Sequence, residues 1–142
     1  MKYFHAELSI KTAGRGFTDI TAAIDNEIAS AGTSQGICTV FIRHTSASLI
    51  ISENADPTVR DDLEGFMSKL VRDGHPDFQH IWEGKDDMSA HIRSVITATS
   101  LTVPVRDSRL YIGRWQAIYL WEHRYHSHNR LVSVSLIGTE LQ

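Results

Sequence analysis

The chain contains a single cysteine, Cys38, in 142 residues. That excludes an internal disulfide and any zinc pattern built on paired thiolates. Cys38 lies in an apolar, strand-like run, the setting of a small buried side chain rather than a reactive thiol. No apolar run approaches the length of a membrane span. The first residues, MKYFHAELSI, alternate like a strand and lack the long apolar stretch of a signal peptide, so a soluble, cytoplasmic protein with no membrane contact is expected. The formal charge is only −3 and the Lys and Arg residues are scattered. Without a basic run there is no nucleic-acid footprint. Internal repeats, low-complexity segments, a Walker A loop, a dinucleotide fingerprint, H-E-x-x-H and a nucleophile elbow are all missing. Ser46 and Ser48 lie near His44, but nothing supplies the sharp strand–helix turn that would expose one of them as a nucleophile.

What is present is an ordinary apolar content, 42%, enough for the core of one domain over residues 1–142. Strict alternation from Lys2 to Thr12 predicts a half-buried strand. Gly14-Arg15-Gly16 breaks it. Thr18 or Asp19 caps a predicted helix that runs through Ala31, with Ile20, Ala23, Ile24 and Ile28 on one stripe and Gly32 as its stop. Gly36–Arg43 and Ser48–Ser52 read as strands. Asp56-Pro57 starts a second helix, an acidic cap before a first-turn proline, with Val59, Leu63, Phe66, Met67 and Leu70 as its apolar face. Residues 72–85 read as a long loop of functional character. Asp86 or Asp87 caps a third helix, with Met88, Ile92, Val95 and Ile96 inward. Strands over 100–105, 109–112, 116–122 and 131–137 complete the chain. Grouped rather than alternating elements predict an α+β fold with a mostly antiparallel sheet and three helices.

Eight histidines are many for this length. His44 ends an apolar strand and precedes small hydroxyl residues. A rigid strand would fix its imidazole as a metal ligand or acid–base group, or simply as a hydrogen-bonded structural histidine. Asp87 and His91, four apart on a predicted helix, share a face. They can bind one metal together, the carboxylate can orient the ring, or they can be a cap and a surface residue. His75 and His80 flank Pro76-Asp77-Phe78-Gln79 in the long loop, and His80 is the better placed to enter a cleft. Glu122 and His123 point to opposite faces of a strand. His126 and His128 read as a solvated hairpin tip.

Three segments, HTSASLIISENADPTVRDDLE (44–64), HIWEGKDDMSAHIRSVITATSLTVPV (80–105) and RLYIGRWQAIYLWEHR (109–124), together resemble the YjbQ family, also called the secondary thiamine-phosphate synthase family. The resemblance runs in order over nearly the whole chain. It departs at Arg114, where the family often carries threonine in Gly-Thr-Trp-Gln, and around His123. It implies a compact α+β subunit in a homotrimer and a cleft holding a divalent metal, zinc or magnesium. The implied weak activity joins hydroxymethylpyrimidine diphosphate to thiazole phosphate and expels pyrophosphate. Carried onto this sequence, His44, His80 and His91 are the expected metal ligands. Glu53, Asp87, Gln116 and Glu122 are the expected catalytic groups and Asn54 an expected binding group, to which Arg93 and Arg114 are added as cations that adjoin these motifs. The expected ligand is a small phosphorylated or anionic metabolite. Two alternatives stand beside this reading: a non-catalytic trimeric module that binds a metal or small anion, and a metal-dependent hydrolase with Glu53 or Asp87 as base.

Overall fold

The computed structural model describes residues 1–140. In chain order the elements are β1 (Lys2–Lys11), β2 (Gly16–Asp19), α1 (Thr21–Ala31), β3 (Thr33–Ile42), β4 (Ala47–Glu53), α2 (Pro57–Leu70), α3 (Lys85–Ile96), β5 (Ser100–Arg106), β6 (Arg109–Leu110), β7 (Gln116–Glu122) and β8 (Asn129–Glu140). They form the expected α+β fold with three helices and only antiparallel pairing. The strands build two sheets, β1-β8-β3-β5-β6 and β2-β7-β4.

The inner faces of the two sheets and the Ile20, Ile24 and Ile28 stripe of α1 share one core, with Cys38, Val40, Leu49, Ile118, Leu120, Val134 and Leu136 fully buried. β7 is buried on both faces because it is the middle strand of the smaller sheet and has helices behind it. Behind it a second apolar cluster joins Met67 and Val71 to Trp121, with Phe17, Ile50, Leu63 and Ile92 packed around them. Among the described residues no helix is long and apolar enough to cross a membrane.

Several elements depart from the sequence expectations. Thr18 and Asp19 belong to β2, a short strand paired with β7 from Gly16↔Glu122 to Asp19↔Tyr119. The N-cap of α1 is instead Ile20, which caps without its side chain, while Asp19 Oδ1 accepts from Thr21 N at 2.9 Å. Four residues are too few for alternation to show, and Thr-Asp reads as a cap. α2 starts as expected, with Asp56 accepting from Thr58 N, but Phe66 and Leu70 lie exposed.

The larger correction concerns α3. Its N-cap is Gly84, at φ 104°, and Asp86 and Asp87 lie inside the first turn. Val95, expected inward, is 82% exposed, and Ile96 is also exposed. The buried residues are Asp86, Asp87, Ser89, Ala90, Arg93 and Ser94. α3 therefore packs through a polar face, against the rule by which apolar periodicity marks the inner side of a helix.

Gly36 and Gly138 are directly opposite in the β3–β8 ladder. A Cβ at Gly36 would stand 2.1 Å from the Ile137 carbonyl oxygen, and one at Gly138 would stand 2.2 Å from that of Gln35. Both contacts are with backbone, so no side chain can swing away. Gly36→Ala is expected to cost about 1–3 kcal/mol, the usual range for overpacking, read as a lower midpoint in urea denaturation. An unchanged midpoint would show that the ladder yields freely there.

Candidate metal centre

Arg124, just beyond β7, reaches the start of α3 with its whole guanidinium. Its Nε donates to Asp86 Oδ2 at 2.9 Å, Nη1 to Asp87 Oδ1 at 2.7 Å and Nη2 to the Glu83 carbonyl at 2.8 Å. Tyr125 N adds a bond to Asp86 Oδ2 at 2.7 Å. First-turn carboxylates also suit the positive end of the helix dipole. Arg124 occupies one oxygen of Asp87 and leaves Oδ2 to two histidines. His80 Nε2 lies 2.6 Å and His91 Nε2 3.1 Å from that oxygen. The two rings are 5.4 Å apart and tilted by 55°.

The other ring nitrogen of His91 determines what this arrangement requires. Nδ1 lies 2.9 Å from the Thr45 carbonyl oxygen. A carbonyl only accepts, so Nδ1 carries a proton. In the neutral ring Nε2 then presents a lone pair directly to the Asp87 carboxylate. Two acceptors at that distance repel unless a cation, either a proton or a metal ion, stands between them. A carbonyl that fixes the distal nitrogen is the usual orientation of a metal-bound histidine. The candidate ligand atoms of His80, Asp87 and His91 all lie within 4.8 Å of one another, so small side-chain adjustments would bring all three onto one ion.

Burial by itself would raise the Asp87 carboxyl. The hydrogen bond from His80 and the charges of His91 and Arg124 outweigh it and hold the group below its ordinary value. The centre divides two hollows. His80 lines one of about 330 Å³ together with Phe78, Ile81, Lys85 and Met88. His91 lines another of about 170 Å³ with His44, Thr45 and Val95.

Of the expected site residues, His80, Asp87 and His91 meet. His44 stands nearby but outside the cluster. Its Nε2 accepts from Leu131 N at 2.7 Å, so that lone pair is already used. Burial, then the charge of Arg130, lowers its pKa, and the neutral ring carries its proton on Nδ1. Glu122 is fully buried on the inner side of β7, where it accepts from Thr12 Oγ1 and Arg130 Nε, each at 2.8 Å. Burial would raise its carboxyl, and these bonds hold it below the ordinary value. Arg93, expected to bind a ligand, is 0% exposed and pairs with Glu64 at 2.7 Å.

The remaining four residues lie at the far end of the small sheet. Ala47↔Glu122 is the register pair at the end nearer the candidate metal centre and Glu53↔Gln116 the pair at the other end, a separation of about 20 Å along the strands. There Asn54 Nδ2 donates to the Arg114 and Gln116 carbonyls at 3.2 and 3.3 Å. Glu53 accepts from Asp56 N at 3.0 Å, and Gln116 Oε1 accepts from Gly113 N at 2.7 Å. Glu53, Asn54, Arg114 and Gln116 thus do not join His80, Asp87 and His91 within one chain. Sequence reasoning missed Arg124, Asp86 and the Thr45 carbonyl. Two adjacent aspartates opening a helix were the visible signal, but nothing local connects them to an arginine 38 residues away.

His123 turns to the helix side of β7, opposite Glu122, with its Nε2 2.8 Å from Ser48 Oγ. Burial first, then the charges of Arg93, Arg15 and Arg130, push its pKa from 6.5 down to about 3. Below pH 6.5 the unfolded chain takes up a proton that the folded chain refuses. Stability is therefore complete above that pH and falls between pH 6.5 and about 3, by up to about 1.4 kcal/mol per pH unit. In His123→Gln this stretch of the pH–stability curve is expected to flatten. Parallel curves for the two proteins would show that His123 is not the group responsible.

Comparison with known proteins fits this fold. Residues 6–139 match the family model described as UPF0047 protein YjbQ-like. The UPF0047 protein sll1880 of Synechocystis sp. is 47% identical, over 92% of this chain and 89% of its own length. YjbQ of Escherichia coli O157:H7 is 39% identical, over 96% and 99%. A YjbQ/UPF0047-family structure from Clostridium acetobutylicum superposes with a TM-score of 0.85 at 33% identity, over 93% of this chain and 99% of that one. A YbjQ-like protein of unknown function from Sulfolobus solfataricus P2 reaches 0.88 at 22% identity, over 97% and 99%, a likeness of fold alone. The chain belongs to the UPF0047 YjbQ-like family.

Proposed function

We propose that this member of the UPF0047 YjbQ-like family is a metal-dependent enzyme of a small phosphorylated metabolite, and that His80, Asp87 and His91 hold the metal. The observation that carries the reading is the convergence of His80 Nε2 and His91 Nε2 on one oxygen of Asp87, with His91 turned there by the Thr45 carbonyl and 3.1 Å from that oxygen. Two imidazoles and one carboxylate favour zinc or a similar transition ion over magnesium, which prefers oxygen. Three protein ligands leave coordination positions open, as in catalytic rather than structural sites.

The specific reaction we propose is of the thiamine-phosphate synthase type, joining a pyrimidine carrying a diphosphate to a thiazole phosphate and releasing pyrophosphate, as a weak activity of a cytoplasmic homotrimer. When bound, the metal would supply Lewis-acid stabilisation of charge on the departing diphosphate. Lys85, in the hollow beside His80, provides an ammonium for the same phosphates, and Phe78, Ile81 and Met88 provide an apolar wall for a heterocycle. Arg124 keeps Asp87 oriented. A hydrolase reading is weaker. It needs a free carboxylate base, whereas Glu53 lies at the other end of the sheet and both oxygens of Asp87 are engaged.

Purified protein loaded with zinc and given both precursors is expected to release thiamine phosphate, and to stop after chelation. His80→Ala/His91→Ala is expected to lose both metal and product. Turnover that survives chelation or the double substitution would overturn the assignment. Stoichiometric metal binding with no turnover of any phosphorylated substrate would support the non-catalytic module instead.

Arg124 touches no proposed substrate and acts as a positioning residue. Arg124→Gln is expected to weaken zinc binding about 10–100-fold, the usual cost of removing a group that orients a ligand, while the circular dichroism spectrum is retained. Unchanged affinity would mean that Asp87 needs no such support.

A further inference from the structure

A third hollow lies at the far end of the small sheet, beneath the β5–β6 hairpin. It measures about 450 Å³ and is lined by Asp25, Arg106, Asp107, Arg109, Tyr111 and Arg114, among others. We propose that it is a binding site for a phosphate-type dianion carried on a small organic body, separate from the metal centre.

The argument starts from the arginines. Arg15, Arg43, Arg60, Arg93, Arg124 and Arg130 each donate to a protein acceptor. The other four are Arg72, Arg106, Arg109 and Arg114. Three of these four line this one hollow, and among the described residues none of the three has a carboxylate within salt-bridge reach.

Arg106 and Arg109 are also directly opposite in the β5–β6 ladder, so their side chains leave the same face. Like charges so placed repel each other, and a protein normally avoids the pairing. An anion between them removes the repulsion and uses both forks, the geometry by which guanidinium recognises phosphate.

The scaffold is rigid. Asp107 and Ser108, at φ 52° and 63°, form the tight left-handed turn between the two strands. Leu110 N donates to Asp25 Oδ1 on α1 at 2.8 Å, Ser108 N to the Ser34 carbonyl at 3.0 Å and Tyr111 N to the Pro104 carbonyl at 2.8 Å. Arg106 lies over the Tyr111 ring at 5.4 Å and Arg114 over Trp115 at 4.8 Å. Stacking on an aromatic face steadies a guanidinium without using the N–H donors at its edge. Asp25 and Asp107 provide opposing charge, but against three guanidiniums they leave one positive charge, and one oxygen of Asp25 is already taken by Leu110 N. The exposed Tyr111 ring gives the hollow an apolar wall, which is why the anion is assigned an organic body.

The test uses the full chain stripped of metal with a chelator, so that the metal centre cannot contribute. Inorganic phosphate and pyrophosphate are titrated by calorimetry at low ionic strength, with wild type, Arg106→Ala/Arg109→Ala and His80→Ala/His91→Ala in parallel. Saturable binding is expected in wild type and in the histidine variant, weakened at least about tenfold (1.4 kcal/mol) in the arginine variant. No saturation at millimolar anion, equal affinity in wild type and the arginine variant, or loss confined to the histidine variant would each overturn the proposal. Thermal unfolding in anion-free buffer provides a separate check. The arginine variant is expected to melt no lower than wild type, because it loses a repulsion. A lower melting temperature would mean that the two arginines support the hairpin instead, which also overturns the proposal.

Discussion

The grip of Arg124 on Asp86 and Asp87 organises the helical side of this molecule. α3 turns a polar face to the small sheet, so apolar burial does little to dock it. One guanidinium fork spans both first-turn carboxylates. Bidentate, partly buried pairing of this kind is directional as well as strong, and it specifies where the helix begins and how it is rotated. His91 occupies its place against Thr45 because α3 is held there, and Asp87 offers one particular oxygen to the histidines because the other is taken.

The same use of charge continues deeper behind the small sheet. Arg93 pairs with Glu64, whose other oxygen accepts from Trp121 Nε1 at 3.1 Å. Asp73 accepts from Arg15, Ser89 and Tyr125, which hold its carboxyl well below the usual range against the upward pull of burial. Buried ion pairs are poor sources of net stability beside a well-packed apolar core. Their geometric demands are strict, however, and fixed geometry is what the candidate metal centre requires. The large sheet and α1 supply an ordinary apolar core, and the polar layer behind β7 supplies the precision. Charge at the two ends of β7 then differs in kind. At the end that carries His80, Asp87 and His91 the arginines are consumed by carboxylates, while at the hairpin end, among the described residues, Arg106, Arg109 and Arg114 have no carboxylate within salt-bridge reach.

Much of this was legible from local pattern. Alternation marked β1, the isoleucine spacing and Gly32 marked α1, and Asp56-Pro57 marked the start of α2, because each depends only on neighbours within one turn or one pleat. Asp87 and His91 were legible as a pair for the same reason, since four residues on a helix share a face. The reading failed for α3, where Val95 and Ile96 suggested an inner side that is in fact the outer one. Apolar periodicity identifies a buried face only when the surface it meets is apolar, and here that surface carries arginine and carboxylate. Within one chain the fold also does not bring Gln116, Glu53 and Arg114 to the histidines. Motifs that adjoin in a family resemblance need not adjoin in space, and an antiparallel strand pair carries its two ends about 20 Å apart.

By itself the sequence determined the fold class, the helices and most strands, and the candidate pairing of Asp87 with His91, because these rest on propensity and periodicity along the chain. Only the tertiary structure decided that His80 completes their cluster while His44 spends its lone pair on β8, that Arg93 is interior, and that Arg106, Arg109 and Arg114 share a hollow. Those outcomes depend on hydrogen bonds and charges between residues far apart in the chain, and such interactions leave no period in a sequence.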